Sequence, residues 1–423
     1  MGPPVQTVYS MKKLFISLML VCLIPFEATY PAAKTPNQKA LPAKAVFYKS
    51  RLKKIDVLMK QAIAREALPS AVCYVAYAGK PVYYKAFGTA YRENNKLLRR
   101  DAIFRNASQT KLVTTIALMT LYEQGLFKLD DPVKKYLPEF SNPVVRVSGS
   151  VAQDNLVTRP AKGDITIRQL LSHNSGLSYD PFDQDVKVIN YAEPITTEEA
   201  VRRIARLPLQ HDPGMGFTYG FSLDVAGRLA EVISGMRLDS LIKKRVLDPL
   251  DMKDTYFYLP PKKWNRLVPL YQKPKPDAMI TLASDSVDRF YPLNQSSQYF
   301  GGGGGLCGTI KDYANLCQMI LDKGLFHKRR ILSRKTVEQM CTDQLFGSSG
   351  DYKFGFGLEI ATDETFARTM KAPGSLRWGG YYGTEYLIDP QNDLVILLYT
   401  NKVSWYLDDV WDDFFHAVYM SLK

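Results

Sequence analysis

Runs of strand-forming residues stand near both ends of this chain, and a helical stretch separates them. That distribution narrows the possible folds more than any other feature. Near the N-terminus, Ala71-Val72-Cys73-Tyr74-Val75-Ala76-Tyr77 and Val82-Tyr83-Tyr84-Lys85-Ala86-Phe87 flank Ala78-Gly79-Lys80, which predicts a β-hairpin. Near the C-terminus, residues 354–360, 382–388 and 394–400 read as strands. Residues 127–260 are helical and loop-rich, with a short helix opening at Arg168. A helix before the hairpin has Ser50 as its cap and Leu52, Ile55, Leu58, Met59 and Ile63 at helical spacing. A further helix is expected near 310–322, and a last one carrying Trp405, Trp411, Phe414 and Phe415 closes the chain. The simplest architecture is α+β. It has one mainly antiparallel sheet from the N- and C-terminal segments, flanked by helices, with a helical subdomain inserted over about residues 105–290.

Composition excludes several alternatives. Of 423 residues, 46% are hydrophobic and 23% charged, enough apolar surface to offset the entropy of ordering a core. Five cysteines without a C-x-x-C pair fit neither a disulfide scaffold nor a metal or thioredoxin site. Cys73, Cys307, Cys317 and Cys341 read as buried thiols. The net charge is +13, but its clusters, such as Lys243-Lys244-Arg245 and Lys328-Arg329-Arg330, are scattered. No nucleic-acid motif accompanies them, so they read as solvated faces and no nucleic-acid partner is expected.

Met11-Lys12-Lys13 precedes an uncharged apolar stretch over residues 14–26. A short basic region before such a stretch reads as a secretory signal. It is too short for a spanning helix of about 20 residues. The expected organisation is a signal segment at 1–33 with Met11 as the start, a linker at 34–46, and one domain at 47–423. The expected destination is periplasmic or secreted. An uncleaved segment would instead tie the protein to the membrane or cell envelope.

The residues that most suggest chemistry are Ser108-Gln109-Thr110-Lys111. Residues three apart on a helix share a face, and a serine in the first turn meets free backbone N–H groups. The pattern Ser-x-x-Lys also occurs at Ser10, Ser50 and Ser240; Ser50 and Ser240 start helices with charged faces, whereas Ser108 and Lys111 precede eleven residues without a charge, 112–122. Such a helix is buried nearly all round, and a lysine at its head is costly without a task or a partner. Taken alone, the pair also fits a helix cap and a snorkelling lysine.

The surrounding blocks carry a resemblance. Phe104-Arg105-Asn106-Ala107-Ser108-Gln109-Thr110-Lys111 resembles the nucleophile segment of serine β-lactamase-like enzymes, a group that includes penicillin-binding proteins, class C β-lactamases and related esterases and transesterases. Further blocks follow in that family's order: Leu170-Leu171-Ser172-His173-Asn174-Ser175-Gly176-Leu177, Tyr219-Gly220-Phe221-Ser222, Pro249-Leu250-Asp251-Met252, Gly302-Gly303-Gly304-Gly305-Leu306 and Trp378-Gly379-Gly380. The match spans roughly residues 48–400. It implies Ser108 as nucleophile, Lys111 as its activator, and Tyr219 as a shared acid and base. It places the oxyanion on the backbone N–H groups of Ser108 and Tyr381. Phe221, Trp378, Gly379 and Gly380 would line the substrate. No cofactor and no metal is implied.

Two departures from the family pattern bear on substrate. The second motif of the lactamases ends in Asn, where this chain has Phe221. The third begins with Lys or His, where this chain has Trp378. Both changes remove polar groups that hold a substrate carboxylate. The expectation is therefore an exported serine hydrolase, an esterase or transesterase on small or medium acyl substrates. A β-lactamase or D-alanyl-D-alanine carboxypeptidase is the alternative within the same fold, with a peptide as substrate. A catalytically weak scaffold that binds the cell wall or a partner is a third possibility. The oligomeric state is left open. His173 as a triad base and Gly303-x-Gly305-x-x-Gly308 as a dinucleotide loop are both set aside, the latter as a flexible turn beside the site.

Overall fold

The computed structural model describes residues 47–422 except 49, 150–153, 180–193, 274, 276–277, 284–290, 294–295, 366–370 and 404–409. The signal and linker segments, Cys22 and Trp405 therefore lie outside the described residues. Eight strands form the main sheet: β1 (Ser70–Tyr77), β2 (Lys80–Tyr91), β3 (Lys96–Leu97), β4 (Lys353–Phe354), β5 (Glu359–Ile360), β6 (Leu376–Gly380), β7 (Thr384–Asp389) and β8 (Leu394–Tyr399). Their order is β4-β5-β6-β7-β8-β1-β2-β3, and each pair is antiparallel. The seam between the two ends of the chain is β8 against β1, with Tyr74 opposite Leu397.

The helices among the described residues are α1 (Lys53–Ala64), α2 (Thr110–Tyr122), α3 (Ile167–Leu171), α4 (Thr197–Ile204), α5 (Ser222–Ser234), α6 (Leu238–Ile242), α7 (Ile310–Leu321), α8 (Arg334–Met340) and α9 (Val410–Tyr419). The period of two along the strands sorts their side chains between two cores. Ala71, Cys73, Val75, Ile396 and Leu398 pack with Ile55 and Met59 of α1 and with Phe414 and Phe415 of α9. Val72, Tyr74, Val395, Leu397 and Tyr399 pack with α2, α5 and α7 on the other face. Coverage of both faces is why β1 and β8 read as unbroken apolar runs.

Several sequence expectations need correction. Ser50 does not cap α1: the helix begins after Leu52, with no side-chain cap. The run 354–360 is not one strand but two, β4 and β5, joined by a turn at Gly357 (φ +76°). A Cβ there would stand 2.6 Å from Thr115 Oγ1 of α2, so this turn seats the sheet edge on the helix. The helical middle also contains a hairpin, Val144–Ser148 with Val157–Pro160. Cys73, Cys307, Cys317 and Cys341 are free thiols, and burial pushes the Cys307 and Cys341 thiols up to about 12.

Candidate active site

Ser108 sits in a tight 3₁₀ turn, Ala107–Gln109, that runs directly into α2. Ala107 takes φ +44°, a conformation costing a non-glycine residue roughly 1–2 kcal/mol. The surroundings hold it there. Asn106 N–H donates to Leu306 O at 2.9 Å, Leu306 N–H donates to Thr110 Oγ1 at 3.0 Å, and Tyr313 Oη donates to Gln109 O at 2.9 Å.

Lys111 is the second residue of α2, one turn on from Ser108, and is 1% exposed. Its ammonium donates to Ser108 Oγ at 3.2 Å, to Gly303 O at 2.7 Å and to Tyr179 Oη at 3.4 Å. It also stands 4.6 Å from the centre of the Tyr219 ring, within cation–π range. Tyr219 Oη donates to Ser108 Oγ at 2.5 Å. Groups distant in sequence thus converge on one hydroxyl oxygen.

The glycine run 301–305 is not a loose turn. Gly302 O accepts from Thr114 Oγ1 at 2.8 Å, and Gly303 N–H donates to Asp224 Oδ1 at 3.0 Å. A Cβ on Gly303 would fall 2.3 Å from Asp224 Oδ2. Only glycine lets this backbone enter between α2 and α5 and turn its carbonyl to Lys111. Asp224 is itself buried and accepts from Tyr299 Oη at 2.7 Å and Tyr179 Oη at 3.4 Å. Sequence reasoning missed Tyr179 and Asp224 as members of this network.

His173 is fully buried, with its ring 4.9 Å from that of Tyr219 and 5.6 Å from that of Phe354. Burial, reinforced by Lys111, holds its imidazole well below the ordinary histidine range. Its backbone carbonyl accepts Thr218 N–H at 2.7 Å. It is a packing partner of Tyr219 and stays neutral.

A cavity of about 520 Å³ opens over Ser108, lined by Tyr179, Tyr219, Trp378, Gly379 and Tyr381 among others. Trp378 packs against Tyr219 (5.3 Å between rings) and Phe354 (5.2 Å). Tyr381 and Tyr382 form the turn from β6 to β7, closed by Gly383 N–H to Gly380 O at 2.9 Å. Two expected lining residues stand elsewhere. Phe221 packs edge-on behind Tyr179 (4.5 Å), whose ring takes its place on the wall. Gly380 faces the nucleophile turn: a Cβ there would meet Asn106 O at 2.3 Å.

Glu359 and Arg377 also line the cavity and were not legible as site residues. Arg377 donates to Glu359 at 3.1 Å and to Glu385 at 2.8 Å. Burial works against its charge, but Glu385 and Glu359 outweigh that and hold the guanidinium above the usual arginine range.

A family model described as Beta-lactamase matches residues 55–418. An uncharacterized protein of Mycobacterium tuberculosis is 32% identical over 71% of this chain and 77% of its own length. Esterase EstB of Burkholderia gladioli is 29% identical over 82% of this chain and 90% of its own. Among solved structures, EstCE1, described as a hydrolase with promiscuous acyltransferase activity, superposes with a TM-score of 0.76 at 26% identity, covering 88% of this chain and 99% of that one.

Proposed function

The chain belongs to the beta-lactamase family and is a serine hydrolase of the esterase-like kind, and from that premise we propose that it cleaves carboxylic esters of small or medium acyl chains through an acyl-enzyme on Ser108. The observation that carries this reading is the convergence of Lys111 Nζ and Tyr219 Oη on Ser108 Oγ at the base of the cavity.

In the reaction, Tyr219 acts as phenolate beside the Lys111 ammonium, and Ser108 Oγ attacks the ester carbonyl carbon as its proton passes to that Tyr219 Oη. The tetrahedral oxyanion rests on the backbone N–H groups of Ser108 and Tyr381, each typically worth about 2.7–4 kcal/mol. Tyr219 returns the proton to the leaving alkoxide as the C–O bond breaks. Water, or an acceptor alcohol, then repeats the sequence in reverse on the acyl-enzyme. Transfer to an alcohol is supported by the promiscuous acyltransferase activity of EstCE1.

An ester is favoured over a β-lactam by the charges of the wall. Trp378 offers no cation to a carboxylate, and Arg377 is already engaged by Glu359 and Glu385. The basic and apolar run at residues 11–26 supports export as part of the same reading.

Turnover of short-chain p-nitrophenyl esters by wild type and Ser108→Ala tests the proposal. Wild type should turn over, and the variant should fall by on the order of 10³ or more. Equal, slow rates from two proteins with native circular dichroism would remove it. A chromogenic cephalosporin should be a far poorer substrate than the esters.

A further inference from the structure

Two of the basic runs scattered along the sequence meet in space. Lys244, Arg245, Arg329 and Arg330 line one pocket of about 300 Å³, together with Thr120, Glu123 and Gln124 at the C-terminal end of α2. Four cations thus face a single carboxylate, Glu123, whose Oε1 is already taken by Ser333 N–H at 2.6 Å.

Part of this charge has a structural task. Cations are favourable at a helix C-terminus. Arg245 serves there, forking onto the Gln124 side-chain oxygen at 3.0 and 2.9 Å once that amide is turned to face it. Arg330 donates to Lys323 O at 2.6 Å. Lys244 and Arg329 have no such duty: both are exposed, and neither forms an ion pair among the described residues. Arg245 keeps a buried Nε without a partner.

The way the cations are presented is also unusual. Lys244 and Arg245 stand on a π-helical turn, Lys243–Leu247, a rare form frequent at functional sites. Arg329 and Arg330 stand on a hairpin whose tip, His327-Lys328, takes positive φ at both residues. Apolar residues flank the pocket. Leu325, paired in register with Arg330, is 37% exposed, and Leu126, two residues past Gln124, is 46% exposed.

We infer that this pocket is a docking site for the phosphodiester headgroups of an anionic phospholipid surface. Exposed leucines beside clustered cations suit an interface that is charged outside and apolar beneath. No helix among the described residues is long and apolar enough to cross a membrane, and the inferred contact is with a membrane surface. It goes beyond the ester chemistry and uses none of its residues.

The test is co-sedimentation of the full chain with vesicles of phosphatidylcholine alone or mixed equally with phosphatidylglycerol. Wild type should prefer the mixed vesicles. Lys244→Glu/Arg329→Glu should lose at least about twentyfold of that binding, since each basic residue near such a surface is worth roughly fivefold. Turnover of a soluble ester should stay unchanged and report an intact fold. A charge-matched control, Lys53→Glu/Lys54→Glu on α1 across the sheet, should keep the preference. Equal loss in both pairs would reduce the effect to net charge and overturn the inference. So would wild type that binds both vesicles alike, or release by inorganic phosphate beyond that by chloride at equal ionic strength, which would assign the pocket to soluble phosphate.

Discussion

Ser108, Lys111 and Tyr219 stand on one side of the candidate active-site cavity, and β6 with its turn stands on the other; the two sides are held by different forces. On the first, hydrogen bonds lock every group: Lys111 to Ser108, Gly303 and Tyr179, and Asp224 to Gly303 and Tyr299. On the second, aromatic packing dominates, with Trp378 between Tyr219 and Phe354 and with Tyr381, 42% exposed, at the rim. Directional contacts fix reacting atoms within tenths of an ångström, as bond-making requires. Packing contacts fix a shape and tolerate exchange. On the proposed reading, the first side sets whether the reaction occurs, and the second sets which ester is taken.

The sharpest way to break that division is Tyr219→Phe. It keeps the ring packed against His173 and Trp378 and removes only the oxygen at 2.5 Å from Ser108. Steady-state kinetics should show kcat down by roughly 10²–10⁴ with KM little changed. A loss under tenfold would take the proton-transfer role from this residue.

Asp224→Ala should do less to kcat but more to the fold. It strips a buried acceptor from Tyr299 Oη and Gly303 N–H, and each donor so orphaned costs about 1–3 kcal/mol. Denaturant unfolding should report that loss. Released from Asp224, the Gly303 carbonyl no longer holds Lys111 in place, and kcat should fall as well.

Trp378→Ala tests the second side. Its effect should appear in kcat/KM, at roughly tenfold for bulky acyl chains, with kcat for the smallest ester nearly unchanged. A uniform drop in kcat across chain lengths would show that the two sides are not separable.

What was legible in the sequence follows the same line. Ser108 and Lys111 were legible because their relation is local, three residues on one turn beside a charge-free run. The hairpin of β1 and β2 was legible from its composition and its turn. Tyr179 was not, because it meets Lys111 across 68 residues and belongs to no periodic element. Phe221 was misplaced for a related reason: its position in the motif was clear, but the ring that would cover it was not. The run 354–360 read as one strand because β-forming residues flank Gly357, and only the presence of α2 beneath explains the turn.

The smallest effect concerns His173, which supports the first side through packing alone. The unfolded chain binds a proton at this residue below about pH 6.5. The folded protein does not, since burial and Lys111 depress its affinity for a proton. The unfolded state thus holds more protons there, and stability falls as pH drops through about 6.5 towards about 5. His173→Phe keeps an aromatic ring against Tyr219 and removes that proton uptake. Its unfolding free energy should vary less between about pH 6.5 and 5 than that of wild type, by at most about 1.4 kcal/mol per pH unit. The pH dependence of kcat should not move, because His173 exchanges no proton with Ser108. A shifted kcat profile in this variant would return His173 to the chemistry and make the packing of Tyr219 part of the reaction itself.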